Sequence, residues 1–267
     1  MAHIALTIAG SDSGGGAGIQ ADLKAFSALG TFGTSVITAV TAQNTQAVTA
    51  VHPIPLDVVR AQIEAVLSDM DVGAIKIGML ATPEIIGVVA EAIGAFSGPV
   101  VLDPVMIAKS GDALLAEEAV TTLRDVLVPI ATVITPNLPE AGWLLDEEAA
   151  ENQAAVVAQG QGLCAVGAQT VLMKGGHAQG DLCHDYLINS DGVLREWTAP
   201  RRATKNTHGT GCTLSSSIAA GLAKGLSLED AVTEAHVYLQ GAIAAADDLK
   251  VGHGHGPLHH FHRVWGA

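Results

Sequence analysis

The sequence predicts an α/β fold in which helices cover a mostly parallel β-sheet. Short apolar runs alternate with amphipathic stretches along the 267 residues, which is the pattern of successive strand and helix units. Apolar residues make up 49% of the chain and aromatic residues only 3%. The core must therefore be built from Ala, Val, Ile and Leu packed in layers, as a sheet between helices requires.

The predicted elements follow one another in a regular order. In chain order, the strand and helix pairs are 4–9 with 19–29, 74–77 with 83–96, 100–102 with 114–127, and 133–134 with 153–166, followed by a strand over 170–173. Segments 35–51 and 183–197 break this alternation and predict extra strands or a hairpin, with a turn at 189–192.

Two helices are predicted at the end of the chain, over 211–222 and 227–249. Ser227 suits the N-cap of the second helix, because a hydroxyl there accepts from a free backbone N–H group. We find no repeat, low-complexity tract or linker, so we expect a single domain over residues 1–267.

Charge and cysteine content limit the classes of partner and compartment. The net charge of −14 argues against binding to nucleic acid or to an anionic membrane, since both favour a basic surface. The three cysteines, Cys164, Cys183 and Cys212, cannot all pair and lack C-x-x-C spacing, so neither a disulfide framework nor a zinc knuckle is expected. The first residues do not resemble a signal peptide, and no apolar stretch is long enough to span a bilayer. We therefore expect a soluble, cytoplasmic protein.

Glycine-rich or polar segments follow the predicted strands. They are 10–16, 78–79, 103–106, 135–140 and 174–177. Ligands of open α/β sheets bind outside the carboxyl ends of the strands, so these segments are expected to line one cleft.

The glycine cluster 14–18 lies between a predicted strand and a helix. Such a turn can bind a phosphate, or it can be purely structural, and the sequence leaves both interpretations open. The G-x-G-x-x-G spacing fails because position 19 is Ile19, and no Gly-Lys pair precedes a Ser or Thr. A nucleotide site must therefore be of another kind.

The segment 207–213, Thr-His-Gly-Thr-Gly-Cys-Thr, leads directly into helical sequence. Backbone N–H groups at the helix N-terminus are predicted to form an anion hole, and they belong to Gly209, Thr210, Gly211 and Cys212. We also expect the helix N-terminus to lower the pKa of the Cys212 thiol, so that its thiolate can act as a base or nucleophile. The alternative is a small buried cysteine beside a tight turn.

Two further segments are candidates for phosphate chemistry. Asn137 and Glu140 lie three apart in a Pro-bounded turn, and their hard oxygens suit Mg²⁺. The alternative is a helix N-terminus at which Glu140 favours the helix dipole. Lys174 ends an apolar strand and can neutralise a transferring phosphoryl group, or it can be an ordinary exposed lysine.

Gln43 and the histidine-rich C-terminus complete the candidates. Gln43 ends a Val/Thr-rich strand and offers an adjacent donor and acceptor, which complement an aminopyrimidine; the alternative is a surface glutamine. The histidines of 253–262 fit no standard zinc spacing and lack cysteine partners. We expect no structural metal site there, and assign these histidines to helix capping and surface exposure.

Together these segments closely resemble bacterial hydroxymethylpyrimidine/phosphomethylpyrimidine kinases of thiamin synthesis, over nearly the whole chain. The resemblance is carried by IAGSDSGGGAGIQADLK (8–24), TAQN (41–44), DPVMIAKSG (103–111), ITPNLPE (134–140), KGGH (174–177), HGTGCT (208–213) and HHFH (259–262). It implies a ribokinase-like three-layer α/β/α sandwich with a mostly parallel central sheet, and a homodimer. It also implies ATP-dependent phosphorylation of 4-amino-5-hydroxymethyl-2-methylpyrimidine to its monophosphate and then to the diphosphate, with Mg²⁺ and ATP.

The same resemblance implies a role for each matching residue. The pyrimidine would be held by Asp22 and Gln43 and packed against Gly10, Met79 and Val105. Cys212 would stand where sugar kinases of the fold carry an aspartate base. The remaining residues are Asp103, Asn137 and Glu140 for Mg-ATP, Lys174 for the transferring phosphate, and Lys109, Ser110 and Gly111 in a flexible flap.

Three other functions are weaker alternatives. Pyridoxal kinases of this fold also carry cysteine in the Gly-Thr-Gly-Cys segment, so a vitamin B6 kinase or a dual-specificity enzyme remains open. A non-catalytic nucleotide-binding module would not need Cys212, Lys174 and Glu140 together. A dinucleotide oxidoreductase lacks its fingerprint.

Overall fold

The computed structural model of the chain describes residues 2–107, 117–177 and 180–265. Within these ranges nine strands form one sheet. They are β1 (Ile4–Asp12), β2 (Phe32–Gln43), β3 (Val48–Pro53), β4 (Val72–Ile77), β5 (Val100–Leu102), β6 (Val133–Ile134), β7 (Val171–Met173), β8 (Leu182–Asn189) and β9 (Gly192–Pro200).

Helices connect most of these strands. They are α1 (Gly18–Ala28), α2 (Leu56–Leu67), α3 (Pro83–Ala92), α4 (Glu117–Thr122), α5 (Leu138–Leu145), α6 (Gln153–Ala165), α7 (Thr210–Ala223) and α8 (Leu228–Ala244). Helix α4 continues into a π-turn at Leu123–Leu127 and a 3₁₀ turn at Val128–Ile130. In the part of the chain that the structure describes, none of the helices is both long and apolar enough to cross a bilayer.

The sheet has a parallel centre and antiparallel edges. Its order is β3-β2-β1-β4-β5-β6-β7-β8-β9. Strands β2, β1, β4, β5, β6 and β7 pair in parallel, whereas β3 joins one edge and β8 and β9 the other in antiparallel fashion. The carboxyl ends of the six parallel strands therefore lie along one side of the sheet, where the polar segments were expected to meet.

Two hydrophobic cores lie on opposite faces of the sheet, because alternate residues of a strand point to opposite sides. In β5, Val100 and Leu102 pack on the face covered by α2, α3, α5 and α6. Val101 packs on the other face, beneath α1, α7 and α8. These layers form the predicted α/β/α sandwich.

The structure corrects several sequence-based boundaries. Helix α2 was not predicted, although Val59 and Ile63 lie one helical turn apart and are fully buried. Segment 35–51 does contain the predicted hairpin, but β2 begins at Phe32 and also belongs to the parallel block. The predicted helix 227–249 ends at Ala244 and is followed by a short 3₁₀ turn.

Candidate active site

A cavity of about 580 Å³ lies at the carboxyl ends of the parallel strands. Its wall includes residues from every segment predicted to line the cleft, among them Gly10, Met79, Val105, Asn137 and Lys174. The N-terminus of α7 also lines it, through Gly209, Thr210, Gly211 and Cys212. The predicted cleft is therefore present, and nearly all the candidate side chains meet there.

Helix α7 begins at a position that only glycine accommodates. Gly209 is its N-cap with φ of 83°, and a Cβ there would lie 1.8 Å from the Gly16 carbonyl oxygen. The N–H and hydroxyl groups of Thr210 both donate to the Thr207 carbonyl, at 3.3 and 2.7 Å. The Thr210 N–H is thus not available to the predicted anion hole. No acceptor among the described residues binds the N–H groups of Gly211 and Cys212, which border the cavity.

Lys174 and Asp103 form an ion pair at the cavity wall. Lys174 Nζ lies 3.0 Å from Asp103 Oδ1 and 3.9 Å from Glu140 Oε2. Burial alone would raise the pKa of Asp103, but Lys174 and then Lys76 hold it below its usual value. A Cβ on Gly211 would lie 3.3 Å from both Asp103 Oδ2 and Lys174 Nζ, so the ion pair lies directly against the start of α7. The Lys174 ammonium and the free N–H groups of α7 therefore lie side by side at the cavity.

Asn137 and Glu140 form a capping box at the start of α5. The Glu140 N–H donates to Asn137 Oδ1 at 2.9 Å, and the Asn137 N–H donates to Glu140 Oε2 at 2.8 Å. The helix N-terminus interpretation is therefore confirmed, although both side chains also line the cavity. Burial raises the pKa of Glu140 to about 7, with Lys174 opposing and Asp103 adding to the rise.

The expectation of a lowered Cys212 pKa is wrong for this structure. Burial raises the pKa of the thiol to about 11. Lys76 acts in the opposite direction, but Asp22 and Asp103 reinforce the rise. Removal of the thiolate from water thus outweighs the neighbouring cation, and Cys212 is a protonated thiol at neutral pH.

The predicted pyrimidine-binding residues line the same cavity, except for Asp22. Gly10 and Met79 are in direct contact, since a Cβ on Gly10 would lie 2.6 Å from Met79 Sδ. Gln43 and Val105 also border the cavity. The Gln43 backbone exchanges two hydrogen bonds with the Ser13 hydroxyl, at 2.7 and 2.8 Å, so Gln43 is a fixed element of the site rather than a loose surface glutamine.

Asp22 is not part of the cavity wall. Its side chain is fully buried, and Oδ2 accepts from Thr7 Oγ1 at 2.6 Å and from Lys76 Nζ at 2.9 Å. Oδ1 has no hydrogen-bond partner among the residues that the structure describes. Burial raises the pKa of Asp22, and Lys76 opposes this rise. The structure therefore places Asp22 behind Lys76, and the implied contact with the pyrimidine is not made from the cavity wall.

Lys76 is a site residue that the sequence analysis missed. It lies on β4 within the apolar run 72–77, is fully buried, and borders the cavity. The signal was the lysine itself, because a charge inside a buried strand requires a buried partner. That partner is Asp22 on α1, which packs on the same face of the sheet as Ala74 and Lys76.

Asp12 organises the glycine cluster and was also missed. Its carboxylate accepts from the N–H groups of Gly14 at 2.7 Å, Gly16 at 3.0 Å and Ala17 at 2.9 Å. His208 Nε2 lies 2.9 Å from Asp12 Oδ2. These amides already bind a carboxylate, so the structural interpretation of the glycine cluster is favoured over a phosphate site.

Two candidates remain, the flap and the C-terminal histidines. The flap residues Lys109, Ser110 and Gly111 lie outside the described residues. In the described ranges, no three or more His, Cys, Asp or Glu side chains form a group that could hold a metal ion. The assignment of the C-terminal histidines to helix capping and surface exposure is wrong for His260, which is buried with Nε2 2.9 Å from the Thr213 hydroxyl. Burial lowers its pKa to about 4.

Comparison with known proteins resolves the family. The phosphomethylpyrimidine kinase family matches residues 12–259 of the chain. The chain belongs to this family. The hydroxymethylpyrimidine/phosphomethylpyrimidine kinase of Rhizobium meliloti is 53% identical over 265 residues, covering 99% of both chains. The thiamine biosynthesis bifunctional protein ThiED of Geobacter sulfurreducens is 44% identical over 260 residues, covering 96% of this chain and 51% of that protein.

A solved structure supports the fold. The ADP complex of Bacillus subtilis pyridoxal kinase superposes with a TM-score of 0.91 at 35% identity, covering 99% of this chain and 100% of that chain. The predicted family, the ribokinase-like fold and the kinase class are confirmed by these comparisons.

Proposed function

We propose that this phosphomethylpyrimidine kinase transfers the γ-phosphoryl group of ATP to 4-amino-5-hydroxymethyl-2-methylpyrimidine, and then phosphorylates the monophosphate to the diphosphate. The observation that supports this best is that one cavity is lined by two kinds of side chain. Gln43 and Met79 suit an acceptor ring, whereas Cys212, Lys174 and Asp103 suit proton and phosphoryl transfer. An acceptor ring held by Gln43 would therefore have its hydroxymethyl group in the same cavity as Lys174 and Cys212.

Recognition of the acceptor rests on Gln43. Its amide offers a donor and an acceptor side by side, which match the exocyclic amine and the adjacent ring nitrogen of an aminopyrimidine. Gly10 leaves the space beside Met79 open, because any side chain there would collide with the Met79 sulfur. Val105 adds an apolar contact for the ring.

The phosphoryl group would be stabilised by Lys174 and by the N-terminus of α7. Charge on its oxygens would be balanced by the Lys174 ammonium and by the free N–H groups of Gly211 and Cys212. These groups are already placed by the α7 N-terminus and by the Asp103 contact. They would not have to reorganise during the transfer.

The two acceptors differ in their need for a base. For the alcohol, the acceptor oxygen forms a bond to Pγ, the bond from Pγ to the ADP oxygen breaks, and the hydroxyl proton passes to the Cys212 thiolate. Because the pKa of the Cys212 thiol is about 11, the thiol must first release its own proton to water in the cavity, so the base form is a small fraction at neutral pH and the first phosphorylation should become faster as the pH rises. A phosphomonoester has a second pKa near ~6 and is already anionic, so the second step needs no base.

Mg²⁺ is the metal expected for this chemistry, and the donor set fits it. Asp103, Asn137 and Glu140 bring hard carboxylate and amide oxygens to one side of the cavity and would hold the ion together with phosphate oxygens. Bound Mg²⁺ would neutralise charge on the β- and γ-phosphates. Activity should be lost in excess EDTA and return with added Mg²⁺, whereas full turnover in EDTA would overturn this assignment.

Vitamin B6 phosphorylation is the second candidate, since the superposed structure is that of a pyridoxal kinase. ADP release should be measured with hydroxymethylpyrimidine, its monophosphate, pyridoxine and pyridoxal as acceptors. The proposed function predicts the largest kcat/KM values for the two pyrimidines. A larger value for pyridoxal would identify a vitamin B6 kinase instead.

We further propose one catalytic domain over residues 1–267, a homodimer and a cytoplasmic location. The family resemblance supports the dimer, and the exposed apolar side chains of Val40, Val51, Leu56 and Val58 around β3 offer a surface for it. Analytical ultracentrifugation should give twice the mass of one chain, and a monomer at micromolar concentration would contradict the dimer.

A further inference from the structure

His208 precedes the α7 N-terminus and is nearly buried, with 8% of its surface exposed. Its Nε2 atom lies 2.9 Å from Asp12 Oδ2. Burial alone would raise the pKa of Asp12, but the hydrogen bonds from His208 and from the Ala17 and Gly14 amides hold it below its usual value. Asp12 is therefore an ionised acceptor that cannot donate, so the hydrogen bond between them is donated by the Nε2–H of His208.

The His208 region is also locked to the glycine cluster by close packing. A Cβ on Gly16 would lie 2.4 Å from His208 Cδ2, and a Cβ on Gly209 would lie 1.8 Å from the Gly16 carbonyl oxygen. No side chain therefore fits between the glycine cluster and the start of α7. Because the two segments are in close contact, a shift of the cluster must also move the start of α7.

The far end of the same cluster holds Gln43. The Ser13 hydroxyl binds both the N–H and the carbonyl of Gln43, while Asp12 binds the amides of Gly14, Gly16 and Ala17. A continuous set of contacts thus runs from the α7 N-terminus through Asp12 to the residue that would recognise the acceptor.

The position of the proton on His208 also determines whether the Gln43 side chain can bind a ligand. Gln43 Nε2 lies 3.4 Å from His208 Nε2. Because His208 already donates to Asp12, its Nε2 atom has no lone pair for the Gln43 amide nitrogen. The Gln43 N–H groups are therefore left for a ligand in the cavity. With the proton on Nδ1 instead, the Nε2 lone pair of His208 could accept a hydrogen bond from the Gln43 amide.

We propose that His208 is a positioning residue for acceptor binding: it ties Gln43 to the α7 N-terminus through Asp12, and its Nε2–H leaves the Gln43 amide for the pyrimidine. The kinetic part of this inference rests on the proposed function. The structural part does not, because it concerns contacts within the chain alone.

The test compares His208→Gln, which keeps an N–H donor at similar reach, with His208→Leu, which keeps bulk but has no donor. His208→Leu should raise KM for hydroxymethylpyrimidine about tenfold, with KM for ATP within about twofold of wild type. His208→Gln should stay within about threefold of wild type for both substrates. Equal KM changes for acceptor and ATP, or an unchanged acceptor KM in His208→Leu, would overturn the positioning role.

A second measurement needs no substrate. Hydrogen exchange of the Gly14, Gly16 and Ala17 amides in the free protein should be faster in His208→Leu and unchanged in His208→Gln. If wild type fails to phosphorylate the pyrimidine, the proposed function falls, while this exchange pattern still decides the structural inference. Unchanged exchange in His208→Leu would refute it.

Asp12→Asn provides an independent variant if His208→Leu does not fold, as judged by circular dichroism. It should speed exchange at the same three amides and raise acceptor KM in the same direction. Where all variants fold, combining Asp12→Asn with His208→Leu should change KM by less than the product of the single effects, because the two residues act as a unit. Independent, multiplicative effects would contradict the coupling.

Discussion

Two lysine–aspartate pairs lie close to the cavity, with similar distances but different access to water. Lys76 Nζ and Asp22 Oδ2 are 2.9 Å apart, and both side chains are 0% exposed. Lys174 Nζ and Asp103 Oδ1 are 3.0 Å apart, but the Lys174 side chain is 14% exposed. The first pair is sealed between β4 and α1, whereas the second opens on the cavity beside α7.

This difference separates two uses of the same ion pair. Neither side chain of the sealed pair is exposed to solvent, so the pair supplies a fixed charge next to the cavity and maintains the packing of α1 on the sheet. The open pair has a second carboxylate, Glu140, 3.9 Å from Lys174. If Lys174 turns towards incoming phosphate oxygens, the Asp103 carboxylate still accepts hydrogen bonds from the Thr135 hydroxyl at 3.1 Å and the Ser215 hydroxyl at 3.3 Å. Distance alone does not distinguish a structural pair from a catalytic one; access to the ligand does.

The largest expected effect comes from breaking the sealed pair. Lys76→Met leaves the Asp22 carboxylate buried without a counter-charge and should lower the free energy of unfolding by about 3–5 kcal/mol. Urea unfolding measures this loss. The double variant Lys76→Met/Asp22→Asn should recover at least half of it, because both charges are then gone. A loss below about 1 kcal/mol in the single variant would mean that water reaches the pair.

Breaking the open pair should instead affect catalysis. Lys174→Met should lower kcat for both acceptors by about 10²–10³-fold, since charge on the transferring phosphoryl group is common to both transition states. Its loss of unfolding free energy should be less than half that of Lys76→Met. Lys224→Met, on a partly exposed lysine paired with Glu234, is the matched control and should keep wild-type kcat. A Lys174→Met variant that retains kcat would remove the distinction between the pairs.

Gln43→Ala tests acceptor recognition with both ion pairs intact. It should raise KM for hydroxymethylpyrimidine by an amount equivalent to about 1–3 kcal/mol, because polar atoms of the bound ring lose their partners. KM for ATP should hardly change. Gln161→Ala, at a residue that does not line the cavity, serves as the control. Wild-type acceptor affinity in Gln43→Ala would show that the ring is read elsewhere.

The smallest effect concerns the second carboxylate of the open pair. The pKa of Glu140 is raised to about 7 from an ordinary 4.5, so its favourable contribution to folding is present below pH 4.5 and is lost as the pH rises to about 7. Glu140→Gln keeps a capping-box acceptor but cannot titrate. Without Mg²⁺, wild type should therefore lose stability relative to Glu140→Gln between pH 5 and 7. A difference independent of pH would contradict the raised pKa; Glu64→Gln, an exposed site, is the control.

The parallel sheet and the cleft could be predicted because both depend on the order of apolar and polar segments along the chain. Apolar runs define the strands, and the polar segments that follow them must meet at one edge of a parallel sheet. Helix α2 was missed because its buried residues, Val59 and Ile63, lie among exposed apolar ones such as Leu56 and Val58, which obscure the helical pattern.

The errors in the site arise from burial, which is a tertiary property. Asp22 and Lys76 lie 54 residues apart. The sequence around either residue does not indicate that the other neutralises its charge. The pKa of Cys212 was expected to fall because the helix N-terminus is visible in the sequence, whereas the loss of solvation that raises it to about 11 is not. In the sequence, Asp12 is one polar residue beside a glycine-rich turn. Only the fold shows that its carboxylate accepts from three backbone N–H groups.

The most direct test of two phosphorylations in one cavity uses the variant Cys212→Ala. At saturating Mg-ATP, kcat/KM is measured for the alcohol and for the monophosphate, and the ratio of the two values is compared between the variant and wild type. Cys164→Ala, outside the cavity, is the control. Cys212→Ala should reduce phosphorylation of the alcohol by about 10²–10⁴-fold and of the monophosphate by less than about tenfold, because only the alcohol must lose a proton. Equal losses for the two acceptors would contradict a base role for Cys212 and leave it a structural part of the anion hole.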